Sequence, residues 1–184
     1  MKEIMMSIRP QWVKEILNGE KTIEIRKKFP KDYVGWVYIY VTKGKLNLVY
    51  DQDYDDKNQT WKKGKYELVD YGDKYSLNGK VVARFWCDKV EGAYNFYVVE
   101  LCQLACINKE ELYKYAGGWY KTDDLIAINI TKLEIFDKPK ELNNFLIHSH
   151  TVSGIGFKGE EKQFNILKPL NRAPQSWCWI DICS

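Results

Sequence analysis

The segment GWVYIYVTK, Gly35 to Lys43, limits the fold more than any other stretch of the chain. Val37, Ile39 and Val41 alternate with Trp36, Tyr38, Tyr40 and Thr42, so an extended strand here is apolar on both faces. Such a strand must be covered on both sides, which puts it in the middle of a sheet or in a barrel wall. GKVVARFWCDKV, starting at Gly79, is a second strong strand. LIAINITKLEIF, Leu125 to Phe136, is a long one that bends near Thr131. MKEIMMSI at the start, NFYVVELC (Asn95 to Cys102) and APQSWCWIDI near the end also read as strands.

Helices are few and short. Pro10 suits a first helical position, where a fixed φ and a missing N–H cost nothing. Trp12, Val13, Ile16 and Leu17 then recur at three- and four-residue spacing, and Gly19 is placed to stop the helix in a left-handed conformation. Asn108 with Glu111 three residues on reads as a capping box that opens the helix KEELYKYA. Pro139 is expected to start a short helix, KELNNF. The stretch from Gly44 to Asn78 reads as a polar excursion with at most a hairpin, and SGIGFKGEEK (Ser153 to Lys162) as a glycine-rich loop. No repeat or linker divides the 184 residues, so one domain spanning 1–184 is expected, with an insertion around 44–78. The fold class is α+β, mostly antiparallel.

Composition excludes some functions. A net charge of +3 does not supply a wholesale grip on duplex DNA, though it leaves room for a local basic pocket. No apolar run approaches the ~20 residues of a membrane span, and a cytoplasmic protein with no membrane partner is expected. The five cysteines are odd in number and form no CxxC, which fits reduced core residues. Cys102, Cys106, His148 and His150 match no standard zinc spacing, so neither a metal nor another cofactor is expected.

The candidate site is NGEKTIEIRK, Asn18 to Lys27. In a regular strand Thr22, Glu24 and Arg26 share one face, with Ile23 and Ile25 on the other. Lys21 joins Glu24 and Arg26 only if the backbone is still turning after Gly19. Pattern alone is equally served by the solvated face of an amphipathic strand carrying an ordinary Glu24–Arg26 pair.

The run Gly19, Lys21, Glu24, Arg26 fits the GxKxxExR motif of the ASCH domain family, within the PUA-like superfamily. IRPQWVKEILNGEKTIEIRKKFP resembles the family's opening helix and second strand. VYIYVTK, GKVVARFWCDKV, ITKLEIFDKPKELNNF and RAPQSWCWIDI resemble later blocks, particularly of members from bacteriophages and bacteria. The segments 44–78 and 149–167 carry no match.

The resemblance implies a PUA-like β-barrel with flanking short helices and a cleft beside the motif that takes single-stranded RNA, a nucleotide or a modified nucleoside. Lys21, Glu24, Arg26, Tyr40, Lys43, Arg172, Gln175 and Ser176 are the expected ligand-binding residues. A lysine meets phosphate as a point charge, and an arginine engages it bidentately or stacks on a base. A carboxylate accepts from an exocyclic amine. Tyr40, Trp119 and Trp177 are aromatic faces on which bases could stack, or else core residues.

Some family members are amidohydrolases of N4-acetylcytidine that use the motif lysine, a threonine three residues later and a distant glutamate. Here Glu24 stands at the threonine position and Thr22 is displaced along the strand. Glu91 and Glu100 are the candidates for the distant glutamate. If the chain is an enzyme, a hydrolase or ribonuclease, Lys21 and Glu24 are its catalytic residues. A third reading is a protein-interaction domain of a transcription-associated regulator, with YDQDYDD as a partner surface.

Overall fold

The computed structural model describes residues 2–52, 54–55, 57, 60–61, 64–70, 74–155 and 160–181. The chain opens with β1 (Lys2–Ile8), α1 (Pro10–Leu17), β2 (Ile23–Arg26) and β3 (Gly35–Val41). A long antiparallel excursion follows, with β4 (Asn47–Asp51) paired to β7 (Lys65–Val69) and, further out, β5 (Tyr54–Asp55) paired to β6 (Thr60–Trp61). Next come β8 (Val81–Cys87), β9 (Val90–Gly92), α2 (Val98–Leu104) and α3 (Lys109–Ala116). β10 (Ile126–Asn129), β11 (Thr131–Lys140), β12 (Leu146–Ile155), β13 (Glu161–Pro169) and β14 (Trp177–Asp181) complete the chain.

Seven strands form the main sheet in the order β11-β8-β3-β1-β14-β12-β13, and β2-β10-β9 form a smaller one. The doubly apolar strand is central, as its pattern demands. Val37, Ile39 and Val41 face a core shared with Val13, Ile16 and Leu17 of α1. Tyr38 and Tyr40 face a second core with Met5, Phe145 and Ile180 on the opposite side. β1 pairs in parallel with β3, while its other neighbour β14 is antiparallel.

The α+β class stands, but the expected barrel does not close. β11 and β13 are the two ends of the main sheet, and no ladder joins them among the described residues. The sheets are instead linked by bends. The chain leaves β10 in the small sheet and enters β11 in the large one at Ile130 and Thr131, where Lys132 takes a left-handed φ of 43°. Strands β8 and β9 make the same transfer, so the antiparallel ribbon turns a corner without closing a ring.

Three local expectations are corrected. NFYVVELC is the start of a helix, because Val98, Leu101, Cys102 and Ala105 recur at helical spacing and pack with Ile23 and Ile25. Pro139 does not begin a helix but lies within β11, an edge strand where a missing N–H leaves no ladder bond unmade. Only a 3-10 turn, Leu142–Asn144, follows. Within the glycine-rich stretch residues 153–155 belong to β12 and pair with residues 161–163 of β13, and 156–159 lie outside the described residues. Asp53 and Asp56 of YDQDYDD also lie outside them.

Candidate functional site

The site is assembled by the turn that ends α1. Gly19 has φ +82°, and the N–H groups of Glu20 and Lys21 both donate to the Glu15 carbonyl, at 2.9 and 3.1 Å. The chain is therefore still turning at Lys21 and becomes a strand only at Ile23. This brings Lys21 onto the Glu24 side, where its Nζ lies 3.4 Å from Glu24 Oε2. Glu24 is also ion-paired to Arg26, its neighbour on the same strand face.

None of this cluster is a solvated strand face. The side chains of Lys21, Glu24 and Arg26 are 4%, 3% and 12% exposed. The helical lobe covers them from one side. Thr22 N–H donates to the Leu104 carbonyl at 2.9 Å and Lys21 Nζ donates to the Ala105 carbonyl at 2.6 Å, which stitches the motif to the end of α2. The Trp12 ring from α1 stands 5.5 Å from the Lys21 ammonium. Arg26 donates through Nη1 to the Ile25 carbonyl and through Nη2 to the Ser7 carbonyl, both at 2.9 Å.

Burial dominates the electrostatics. Desolvation lowers the Lys21 pKa from 10.5 to about 7, with the Arg26 charge acting in the same direction and Cys106 and Glu15 opposing it. Lys21 is therefore poised between charged and neutral near physiological pH. Burial likewise pulls Arg26 down to about 10, opposed by the Tyr115 hydroxyl of α3. Glu24 Oε2 has no hydrogen-bond partner beyond the lysine charge.

The end of the chain meets the motif at Ser7. Ser7 N–H donates to the Ser176 carbonyl at 2.9 Å and Ser7 Oγ donates to the Pro174 carbonyl at 2.7 Å, while the Ser7 carbonyl receives Arg26. Trp177 Nε1 donates to the Lys28 carbonyl at 2.8 Å, so RAPQSW lies alongside the motif strand. Ser176 is half-buried, and Gln175 and Arg172 are exposed.

Other expected residues lie apart from the cluster. Tyr40 is buried in the core on the far side of the main sheet, packed with Val81 and Phe145, because strand parity sends it away from α1. Lys43 is exposed beyond the end of β3, its stem over Gly79. Trp119 is exposed, and Trp177 is half-buried against Phe29. Glu91 pairs with Lys89, and Glu100 is exposed on α2. Thr22 is exposed and outside the ion-paired group. Cys102 and Cys106 belong to the helical lobe, whereas His148 and His150 lie on β12. Residues that sequence reasoning missed are Ser7, Trp12, Cys106, Tyr115 and the Ala105 carbonyl. Main-chain acceptors carry no signature in a sequence, and nothing local marks Tyr115 as facing Arg26.

Comparison with solved structures addresses the architecture. The chain aligns over 97% of its length with 87% of the ASCH protein from Zymomonas mobilis, at a TM-score of 0.53 and 15% identity. This is the ASCH-domain fold. A tyrosine-to-phenylalanine variant of the same protein aligns over 98% of this chain and 91% of that one, at a TM-score of 0.53 and 14% identity. No family model matches the sequence, and no curated protein matches it. The ASCH fold agrees with the motif blocks read along the chain. Among the described residues no helix is long and apolar enough to cross a membrane.

Proposed function

We propose that the protein is a binding module for single-stranded RNA or a nucleotide, with the Lys21–Glu24–Arg26 cluster as its recognition centre. The observation that carries this reading is a lysine buried beside an incompletely satisfied carboxylate, with a pKa brought down to about 7. Placing three charges out of water is costly, and clusters of this kind concentrate at functional sites. An arriving phosphate would favour the charged lysine and so convert that cost into affinity. Ser176, Lys27 and Tyr115 border the cluster, and with Gln175 and Arg172 of the same segment as Ser176 they would meet the rest of the ligand.

Binding is favoured over hydrolysis by the state of Glu24. Its carboxylate is engaged by Arg26 on one oxygen and faces the Lys21 ammonium with the other, so it is committed to the ion pairs rather than placed to activate a water. The motif's own hydroxyl, on Thr22, is exposed and lies outside the ion-paired cluster. Incubation with N4-acetylcytidine is therefore expected to yield no cytidine, and turnover that Glu24→Gln abolishes would reverse the reading.

The decisive experiment is fluorescence anisotropy with a short single-stranded RNA across pH 6 to 9. Affinity should fall as the pH rises through about 7, because the anion binds the protonated lysine. The fall approaches about tenfold per pH unit well above that point. Lys21→Arg, which stays charged, should remove this dependence while retaining binding. A pH-independent affinity in the wild type would sink the assignment.

A further inference from the structure

The two ends of the main sheet are finished differently. β11 forms one end and is a poor template for another strand. Its pairing with β8 is interrupted by two register shifts, and it carries Pro139 together with Lys132, Lys138 and Lys140. Bulges, proline and charge are the devices that keep sheet edges from pairing with other chains.

β13 forms the other end and has little of this protection. It runs for nine residues, every one of them exposed. At about 3.3 Å per residue that is an open edge roughly 30 Å long. Between Lys162 and Lys168 the run QFNIL, residues 163–167, contains neither charge nor proline. The register shift of the ribbon falls at Ser149 on β12, the inner strand, so the outer edge is left unbulged. β12 meets β14 only where Leu146 lies opposite Asp181, so beyond that point the ribbon of β12 and β13 has no further ladder partner among the described residues. A two-stranded ribbon alone is marginally stable in water, and a further strand is what it lacks.

The ribbon also has an apolar side. Phe164 pairs with Val152 and Ile166 with His150, so these four share one face. Ile147, opposite Lys168, continues that face inward to the core of Met5, Tyr38 and Phe145. Phe164, Ile166 and Val152 are 44%, 39% and 38% exposed. The Phe164 ring lies over Gly154, where a Cβ would stand 3.1 Å from it, so the missing side chain at 154 is what admits the ring. Over residues 146–169 three lysines stand against two glutamates, too slight an excess for a phosphate-binding surface. The chemistry of the ribbon therefore favours a protein partner.

We propose that β13 pairs antiparallel with β13 of a second copy of this chain, joining the two main sheets across a two-fold axis at Phe164. Charge sets the register. With Phe164 on the axis, Glu160 comes opposite Lys168 of the second copy, twice over by symmetry, and Lys162 comes opposite Ile166. Glu160 and Lys162 are already linked within the chain at 2.5 Å, so Lys168 extends an existing pair. Moving the axis to Asn165 sets Lys162 opposite Lys168 on both sides, and like charges directly opposite are destabilising. Main-chain hydrogen bonds supply the affinity, and the two Phe164 rings meet as a cross-strand pair on the apolar face. The contact is isologous and closes at two copies, while the blunted β11 edge offers no second surface for growth.

Sedimentation equilibrium of the full chain across the micromolar range tests the assignment. A monomer–dimer equilibrium is expected, with no larger species. Phe164→Lys, at an exposed position, should weaken the dimer by about thirtyfold or more. Lys168→Glu should also weaken it by facing Glu160, and adding Glu160→Lys should restore it, a rescue specific to this register. Both charged positions lie at the ends of an exposed strand, so this pair of variants keeps the test decisive even if Phe164→Lys impairs folding. Hydrogen exchange at high protein concentration should protect residues 161–168 in the wild type and not in Phe164→Lys. A monomer at every concentration, a dimer indifferent to Phe164→Lys, or failure of the charge swap to restore association would overturn the proposal. Protection of 161–168 that appears only when RNA is added would also overturn it and assign the ribbon to nucleic acid.

Discussion

Two groups of paired charges in this protein share their chemistry and differ in their access to water. Arg84 and Glu134 bridge β8 and the edge strand β11 with side chains 28% and 48% exposed. Lys21, Glu24 and Arg26 are enclosed between β2, α1 and the end of α2. The consequence is visible in their proton affinities. Burial pulls Arg84 down, but the hydrogen bonds to Glu134 and Tyr38 outweigh it and its pKa ends up raised. At Lys21 and Arg26 burial wins and both are lowered. A surface pair adds a little stability, whereas the buried group carries an electrostatic cost of desolvation.

Removing the central anion gives the largest expected effect. Glu24→Ala leaves two cations buried against each other, and breaking a buried pair costs about 3–5 kcal/mol. Urea denaturation should show that loss. A change below about 1 kcal/mol would mean that the group behaves like the surface pair.

The pH dependence of stability sharpens the comparison. Lys21 has a pKa near 10.5 unfolded and about 7 folded, so between those values the unfolded chain binds more protons. Stability contributed by this group therefore rises with pH across that window, by at most about 1.4 kcal/mol per pH unit. Its penalty is fully present below pH 7. Denaturation of wild type and Lys21→Met at a series of pH values should show the rise only in the wild type. Parallel profiles would indicate that Lys21 is solvated.

The smallest effect belongs to the exposed pair. Glu134→Gln should change stability by less than about 1 kcal/mol, because water replaces the lost partner of Arg84. A thermal melt is sufficient to read it, and a loss comparable to Glu24→Ala would erase the distinction between the two groups.

How much of this is legible in the sequence depends on how local each signal is. Asn108 accepts from the Glu111 N–H at 2.8 Å as its spacing implies, and Gly19 takes the left-handed conformation expected of it. Both features are set by a few neighbouring residues. Val98 and Val99 mislead because β-branched residues suggest a strand, while the helix they begin is stabilised by packing against Ile23 and Ile25, far away in sequence. Glu24 and Arg26 are readable as a pair from strand parity. Their burial is not, because the cover comes from Leu104 and Ala105 on one side and from Ser7 on the other.

The sequence by itself determined the doubly apolar central strand, the helices that open at Pro10 and after Asn108, the turn at Gly19 and the residue types available to the site. Each follows from periodicity or backbone restriction within a dozen residues. Tertiary structure alone decided that the sheets join at a bend rather than a closed ring, and that Tyr40 faces away from the motif. It also decided that Lys21 loses its water. Desolvation depends on what a side chain is packed against, and the groups enclosing Lys21 lie on α1 and α2, with Ala105 84 residues further along the chain.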